Sequence, residues 1–351
     1  MNYQPIRPKI SVIMPCYNSA PYVSEAIESI LNQTYRDFEF IIIDDGSNDN
    51  TPEILAGYKD SRIKIVRKEK NEGLIPALNL GIKLASGEYL ARMDADDIAL
   101  PQRFEREIDF LDSHPDFAVV GTRAWRIDGN GKVLEPMIFI THWKDVHYAL
   151  EHGICPIIHS SVLMRTSVVR SLGGYRDQFK HAEDFDLWLR IIEAWKICNL
   201  REKLMLYRSN PKGVRLTKSI EASLSSAYAL NCYLRRKARL KEVPFYEFFN
   251  NANIHSFELT GKRGVLSELL LLGELDQLMT ILTSLNDRRS RILAAMIQTF
   301  LGPLIATLYR KYRRVRGWIG DTPFGGLVGS LRLRLKFSHF RQFVDSASMY
   351  I

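Results

Sequence analysis

The chain reads as an α/β protein: a doubly wound, mostly parallel sheet flanked by helices, followed by a mainly helical C-terminal region. Three observations predict this. Short apolar runs alternate with segments of helical period from Lys9 onward. Four such strand–helix units fit within about 110 residues, which favours right-handed parallel crossovers. After about Arg208 the alternation stops, and residues 219–300 carry helical patterning, including Glu221–Leu240 and Val265–Leu285. At 351 residues the chain holds about two domains, drawn here at 1–215 and 216–351.

The first strand is KISVIMP, an unbroken apolar run of the kind a strand buried on both faces requires. Pro21 opens a helix whose Val23, Ala26, Ile27, Ile30 and Leu31 share one face. Phe38–Ile43 is the second strand, and Thr51–Pro52 opens the next helix. Arg62–Val66 is the third strand, followed by a helix through Leu74–Leu84 that stops by Gly87. EYLARM is the fourth strand, and Pro101 starts a helix that turns Phe104, Ile108 and Leu111 inward. AVVGTRAWRI then meets the turn Asp128–Gly129–Asn130–Gly131, a hairpin signal.

Charge divides the chain. Residues 1–210 carry 26 Lys and Arg against 30 Asp and Glu, whereas residues 211–351 carry 22 against 10. The basic half is expected to meet a phosphate-rich surface. Ile292–Tyr309 holds 18 residues without a charge, close to the lower limit for spanning a bilayer, but Gln298 and Gly302–Pro303 weaken that reading. Arginines and lysines flank it on both sides, which fits a segment lying in the interface of an anionic membrane. A buried helical hairpin broken at Gly302–Pro303 would give the same pattern. Basic clusters such as Arg235–Arg236–Lys237 and Lys311–Arg316 also permit the alternative of a non-catalytic nucleic-acid- or membrane-binding protein. They lack interleaved aromatics, so nucleic acid is not an expected partner. Cys16, Cys155, Cys198 and Cys232 lie far apart with no CxxC, and MNYQPIRPKI has no apolar leader core. Both features fit a cytoplasmic protein, here on the inner face of the cell membrane.

Ligands of open α/β sheets bind at the carboxyl ends of the strands. Pro15–Cys16–Tyr17–Asn18 follows the first strand, Asp44–Asp45 the second and Asp94–Ala95–Asp96–Asp97 the fourth. The five carboxylates repel one another unless a cation is present, and a DxD at a strand end offers the oxygen ligands that Mg2+ or Mn2+ takes. Taken singly, Asp96 and Asp97 are equally explained as caps of the next helix, and Asp45–Gly46 as a turn. A second acidic cluster, Glu183–Asp184–Phe185–Asp186, opens the apolar helix containing Leu187 and Leu189. Its carboxylates either serve the helix dipole or aim a general base into the cleft. His142, His147 and His152 recur at five-residue spacing, which aligns no metal ligands on a helix. Trp188 and Trp195 read as core. No GxSxG, HExxH, P-loop or GxGxxG occurs, which leaves hydrolase, zincin, kinase and Rossmann dehydrogenase readings without support.

ISVIMPCYN, FIIIDDGSNDNT, NEGLIPALNLGI, ASGEYLARMDADDIALP and HAEDFDLWLR stand in an order and spacing that resemble the family 2 glycosyltransferases of GT-A fold, of the bacterial cell-surface polysaccharide type. The resemblance covers about residues 8–210. It implies an inverting, metal-dependent enzyme that moves a sugar from a nucleotide-sugar donor, UDP-linked, to a saccharide or lipid-linked saccharide acceptor, with Mn2+ or Mg2+ as cofactor. By the same resemblance Pro15, Tyr17 and Asn18 wrap the nucleotide base, and Asp45, with Asp44 beside it, reads the base's imide. Asn71 and Gly73 lie near base and diphosphate. Asp96 ligates the metal, Asp94 sits by the ribose or the metal, and Asp97 is tied to the sugar or metal shell. Asp184 is the catalytic base with Glu183 as neighbour. His159 resembles a cleft-floor position, which a satisfied core histidine would equally explain. Many relatives carry a histidine-containing loop after YR; here Asn210 stands near that place, leaving Arg208, Lys212 or Arg215 as candidates for the diphosphate.

Overall fold

The computed structural model describes residues 7–209, 219–245 and 248. Its first half runs β1 (Ile10–Cys16), α1 (Val23–Leu31), β2 (Phe38–Asp44), α2 (Thr51–Ala56), β3 (Ile63–Arg67), α3 (Leu74–Leu84), β4 (Tyr89–Arg92), β5 (Ile98–Ala99) and α4 (Arg103–Ser113). There follow β6 (Phe117–Ile127), β7 (Val133–Met137), α5 (Trp143–Glu151), a 3-10 turn at His159–Ser161, β8 (Leu163–Arg165), α6 (Thr166–Ser171), α7 (Glu183–Ile191), β9 (Lys196–Arg208) and α8 (Ser219–Lys237).

One sheet takes the order β3-β2-β1-β4-β8-β6-β9-β5, with β7 paired to β6. The β3-β2-β1-β4 side is wholly parallel. Beyond β4 the sheet is mixed: β8 runs antiparallel to both β4 and β6, and β6 is parallel to β9. Strand β6, the predicted strand AVVGTRAWRI, therefore pairs with β7, β8 and β9 and not with β4.

Both faces of the sheet are covered. Ile13, Ile41, Ile43 and Leu90 pack into one core, and Val12, Met14, Phe40, Ile42 and Ala91 into the other. That is why β1 and β2 read as unbroken apolar runs. Helix α1 buries Val23, Ala26, Ile27 and Ile30 as its period predicts. The hairpin forms at Asp128, whose carboxylate accepts the backbone N–H of Asn130 (2.9 Å) and Lys132 (3.0 Å). Helix α4 begins at Arg103 rather than Pro101, and it turns Arg103 and Glu107 inward with Phe104, Ile108 and Leu111.

Helix α8 packs on this same unit, placing Tyr228, Ala229, Cys232 and Tyr233 in the core that holds α7. Its basic end is internally paired. Arg236 meets Glu193 and Glu242, Lys237 meets Glu151 at 2.6 Å, and Arg235 Nε donates to the Lys241 carbonyl. Arg235–Arg236–Lys237 thus docks a helix rather than forming a free cationic patch. Asn210, Lys212, Arg215, Val265–Leu285, Ile292–Tyr309 and Lys311–Arg316 lie outside the described residues. Among the described residues no helix is long and apolar enough to cross a membrane.

Candidate active site

Strand β1 has β2 on one side and β4 on the other, so the chain reverses its winding direction there, at the carboxyl ends where ligands of open α/β sheets bind. Pro15 is buried at the end of β1, while Tyr17 and Asn18 are exposed beyond it. Asn18 takes a left-handed φ of 50°. Its backbone N–H donates to Ser47 Oγ (3.0 Å), and its Oδ1 accepts from the Asn48 N–H (2.9 Å), which ties the β1 loop to the β2 loop.

Asp44 is buried, with Oδ1 accepting the Ser47 N–H and Oδ2 3.5 Å from Arg67 Nε. Asp45 is buried too. Its Oδ1 accepts from Lys68 Nζ (2.6 Å) and the Glu72 N–H (3.1 Å), its Oδ2 from the Gly73 N–H (2.8 Å). Asp45 therefore sets the position of the loop bearing exposed Asn71 and half-buried Gly73. Two glycines make that contact possible. Gly46 has φ +73°, and a Cβ there would come within 2.5 Å of the Lys70 carbonyl carbon; Gly73 has φ +100°.

The DxD occupies the turn between β4 and β5. Carboxylate oxygens of Asp94, Asp96 and Asp97 lie within 4.8 Å of one another. Asp97 is buried and accepts from the Arg208 N–H (2.8 Å) and from Ser160 Oγ. Burial, then the charge of Asp94, pushes Asp96 up to about 6, and burial with Asp94 and Asp96 raises Asp97 well above the usual carboxylate range. Like charges so placed are relieved by a cation, and a set of hard carboxylate oxygens suits Mg2+ or Mn2+. Capping does not explain this cluster: α4 starts six residues past Asp97, after Gln102, and no side chain caps it.

The guanidinium of Arg208 is engaged within the fold through all three of its nitrogens. Its Nε donates to the Asp96 carbonyl (2.7 Å), Nη1 to the carbonyls of Asp128 and Gly129 (both 3.2 Å) and Nη2 to Glu25 (2.5 Å). Buried behind the DxD turn with its ring-facing side over Tyr22, it holds the backbone of that turn.

Glu183 and Asp184 open α7. Asp186, one turn in, is fully buried between Arg176 and Arg190 and anchors the helix. Asp184 is half-buried, and its Oδ1 accepts the Phe185 N–H (2.7 Å). Glu183 is buried, and burial followed by the charge of Asp184 pushes it up to about 7, with Asp94 adding and Arg92 opposing. The two acidic clusters thus feel each other. Between them lie two groups that sequence reasoning did not assign, Arg92 and Tyr175. His159 bonds through Nε2 to the Tyr175 hydroxyl (2.8 Å) and is held neutral by burial and by the Arg92 charge. Tyr175 is clamped by Asn79 of α3, which bonds both its N–H (2.9 Å) and its carbonyl (2.8 Å). The available signal for Arg92 was a lone charge inside the apolar run EYLARM, which needs a partner when buried.

The chain is similar to known proteins. The profile described as "Glycosyl transferase family 2" matches residues 11–173. The O-antigen biosynthesis glycosyltransferase WbnJ of Escherichia coli is 35% identical over 239 residues, covering 65% of this chain and 90% of that one. The chain belongs to glycosyl transferase family 2. As a family 2 glycosyltransferase it shares its GT-A fold with two solved structures. Staphylococcus aureus TarS 1-349 in complex with UDP-GlcNAc aligns at TM-score 0.53 and 19% identity over 87% of this chain and 92% of that one. The mannosyltransferase PcManGT of Pyrobaculum calidifontis, in complex with GDP-Man and Mn2+, aligns at TM-score 0.51 and 18% identity over 88% and 83%.

Proposed function

We propose that this glycosyltransferase is inverting and metal-dependent, moving a sugar from a UDP-linked donor to a hydroxyl of a saccharide or lipid-linked saccharide in cell-surface polysaccharide synthesis. The observation that carries the reading is the Asp94–Asp96–Asp97 carboxylate cluster, close enough to the Glu183–Asp184 pair at the start of α7 for Asp94 and Glu183 to act on each other. The UDP-GlcNAc and GDP-Man named for the two structural neighbours, and the O-antigen synthesis named for WbnJ, support the donor class and the pathway type.

Asp94 and Asp96 are the residues to hold Mn2+ or Mg2+, since both Asp97 oxygens are already committed to Ser160 and Arg208. When bound, the ion supplies Lewis-acid stabilisation of the diphosphate's negative charge. Pro15, Tyr17, Asn18, Asp44, Asp45, Asn71 and Gly73 border the nucleotide's end of the crevice, where the Asp45 contacts fix the 70–73 loop. Asp184 accepts the proton of the acceptor hydroxyl while that oxygen bonds to C1 of the sugar. The C1–O bond to the diphosphate breaks on the opposite face, and its electron pair leaves with the nucleoside diphosphate. Glu183, buried beside Asp184, raises the negative potential where positive charge develops at C1.

Calorimetric titration with UDP, GDP and dTDP, each with and without Mn2+, tests the donor and the metal together. UDP binding that needs Mn2+ and disappears in Asp96→Ala is the expected result. Binding of none of the three nucleotides would sink the reading.

Within residues 216–351, the part beyond α8 is the membrane-facing part of this reading, carrying an excess of basic residues and the uncharged Ile292–Tyr309 stretch. The site of action is then the inner face of the cell membrane. Removing Gln298–Ile351 is expected to abolish co-sedimentation with anionic liposomes at physiological salt, and undiminished co-sedimentation would refute the docking role.

A further inference from the structure

Arg92 ends β4 in the middle of the sheet, opposite Ile13 of β1, and it is only 4% exposed. Its backbone is fully engaged: the N–H donates to the Val162 carbonyl (3.1 Å), and the carbonyl accepts from Arg103 Nη2 (3.0 Å). Its side chain is unlike those of the other buried arginines. Arg103, Arg190 and Arg208 each direct their guanidinium donors to several carbonyl or carboxylate acceptors. Arg92 Nη1 ion-pairs with Asp94 alone, and Nε finds no hydrogen-bond partner. A buried guanidinium with a donor left unmet leans on the opposite charge beside it.

The charges around it are mostly negative, with the buried Arg103 the cation that opposes them. Asp94, Asp96, Asp97 and Glu183 all stand close enough to interact with Arg92 or with each other through it. Fully ionised, these four carboxylates outnumber the two guanidinium groups that act on them, Arg92 and Arg208, and a divalent ion fits that deficit.

We propose that Arg92 is a positioning residue that acts as a built-in counter-cation: it keeps the carboxylates of the DxD turn and of Glu183 together before a divalent ion arrives, and its charge limits how tightly that ion is then held. The proposal rests on the reading of Asp94 and Asp96 as metal ligands. A cation that shares Asp94 with the metal competes with it, so removing the charge strengthens the site for Mn2+ while weakening the metal-free fold.

The test compares full-length wild type, Arg92→Lys and Arg92→Gln by thermal melting and by Mn2+ calorimetry, without donor or acceptor. Metal-free Arg92→Gln is expected to melt below wild type. Saturating Mn2+ should raise its melting temperature by more than it raises that of wild type, and its Kd for Mn2+ should tighten about tenfold. Arg92→Lys, which keeps the charge, should match wild type in both. Equal Mn2+ responses in wild type and Arg92→Gln overturn the proposal, as does weaker Mn2+ binding in Arg92→Gln, which would make Arg92 a mere support for Asp94. If Arg92→Gln does not fold, Arg92→Lys decides: a wild-type response sustains the charge argument and an enlarged one defeats it. Absence of Mn2+ binding to wild type overturns instead the metal reading on which the proposal stands.

Discussion

Asp184→Asn is expected to lower kcat by about 10³-fold, inside the range of about 10²–10⁴ that a positioned general base contributes. Mn2+-dependent UDP affinity should change by no more than about twofold, because the lost interaction forms only as the acceptor is deprotonated. Asparagine is isosteric and still offers Oδ1 to the Phe185 N–H, and α7 remains anchored through Asp186 to Arg176 and Arg190. Structural collapse is therefore a poor explanation for any rate loss. The measurement is initial-rate release of nucleoside diphosphate from the donor in the presence of membrane-extracted acceptor, alongside calorimetric UDP binding. A loss smaller than about tenfold would transfer the base to Glu183. That carboxyl, pushed up to about 7, is the other proton acceptor near the cleft's working range.

How far this site was legible depends on how local each signal is. Helix α3 spans Leu74–Leu84 as its period predicts, and β1 and β2 fall within a residue of their expected limits. The rule that sheet ligands gather at strand ends was enough to bring Asp44, Asp45 and the DxD to one rim. Features that depend on distant pairing were not visible. Strand β8 has three residues, too few for a period of two to show, and its place between β4 and β6 is set by pairing with Tyr89 and Val120, far away in the chain. Arg208 looked available for a diphosphate because its acceptors at Glu25, Asp96 and Asp128 adjoin it only in the folded chain. Arg235–Arg236–Lys237 looked like an open cationic patch for the same reason, since Glu151, Glu193 and Glu242 come from other elements. Arg103 and Glu107 adjoin the apolar stripe of α4, and nothing local to the helix marks them as inward, although both are fully buried.

That last pair supports the largest stability effect expected in the molecule. Arg103 Nε donates to Glu107 Oε2 at 3.2 Å one helical turn away, while Nη2 reaches the carbonyls of Arg92 (3.0 Å) and Val162 (3.1 Å). Burial pushes the Glu107 carboxyl up and Arg103 pulls it back, so each charge is tolerated only because of the other. Glu107→Ala leaves the guanidinium buried with no counter-charge and is expected to lower the unfolding free energy by about 3–5 kcal/mol, a large part of a typical domain's about 5–15 kcal/mol. The double change Arg103→Met with Glu107→Leu should restore most of that stability, because an apolar pair of similar volume avoids desolvating two ions. It should not restore activity to the same degree, because the carbonyl of Arg92, directly before the DxD turn, loses its donor. Urea unfolding midpoints of the two variants, with donor turnover measured on the double variant, separate these effects. Equal stability of Glu107→Ala and wild type would show that water reaches Arg103. A fully active double variant would show that Arg103 supports the fold alone, leaving the DxD turn to be held from the other side by Arg208 and Ser160.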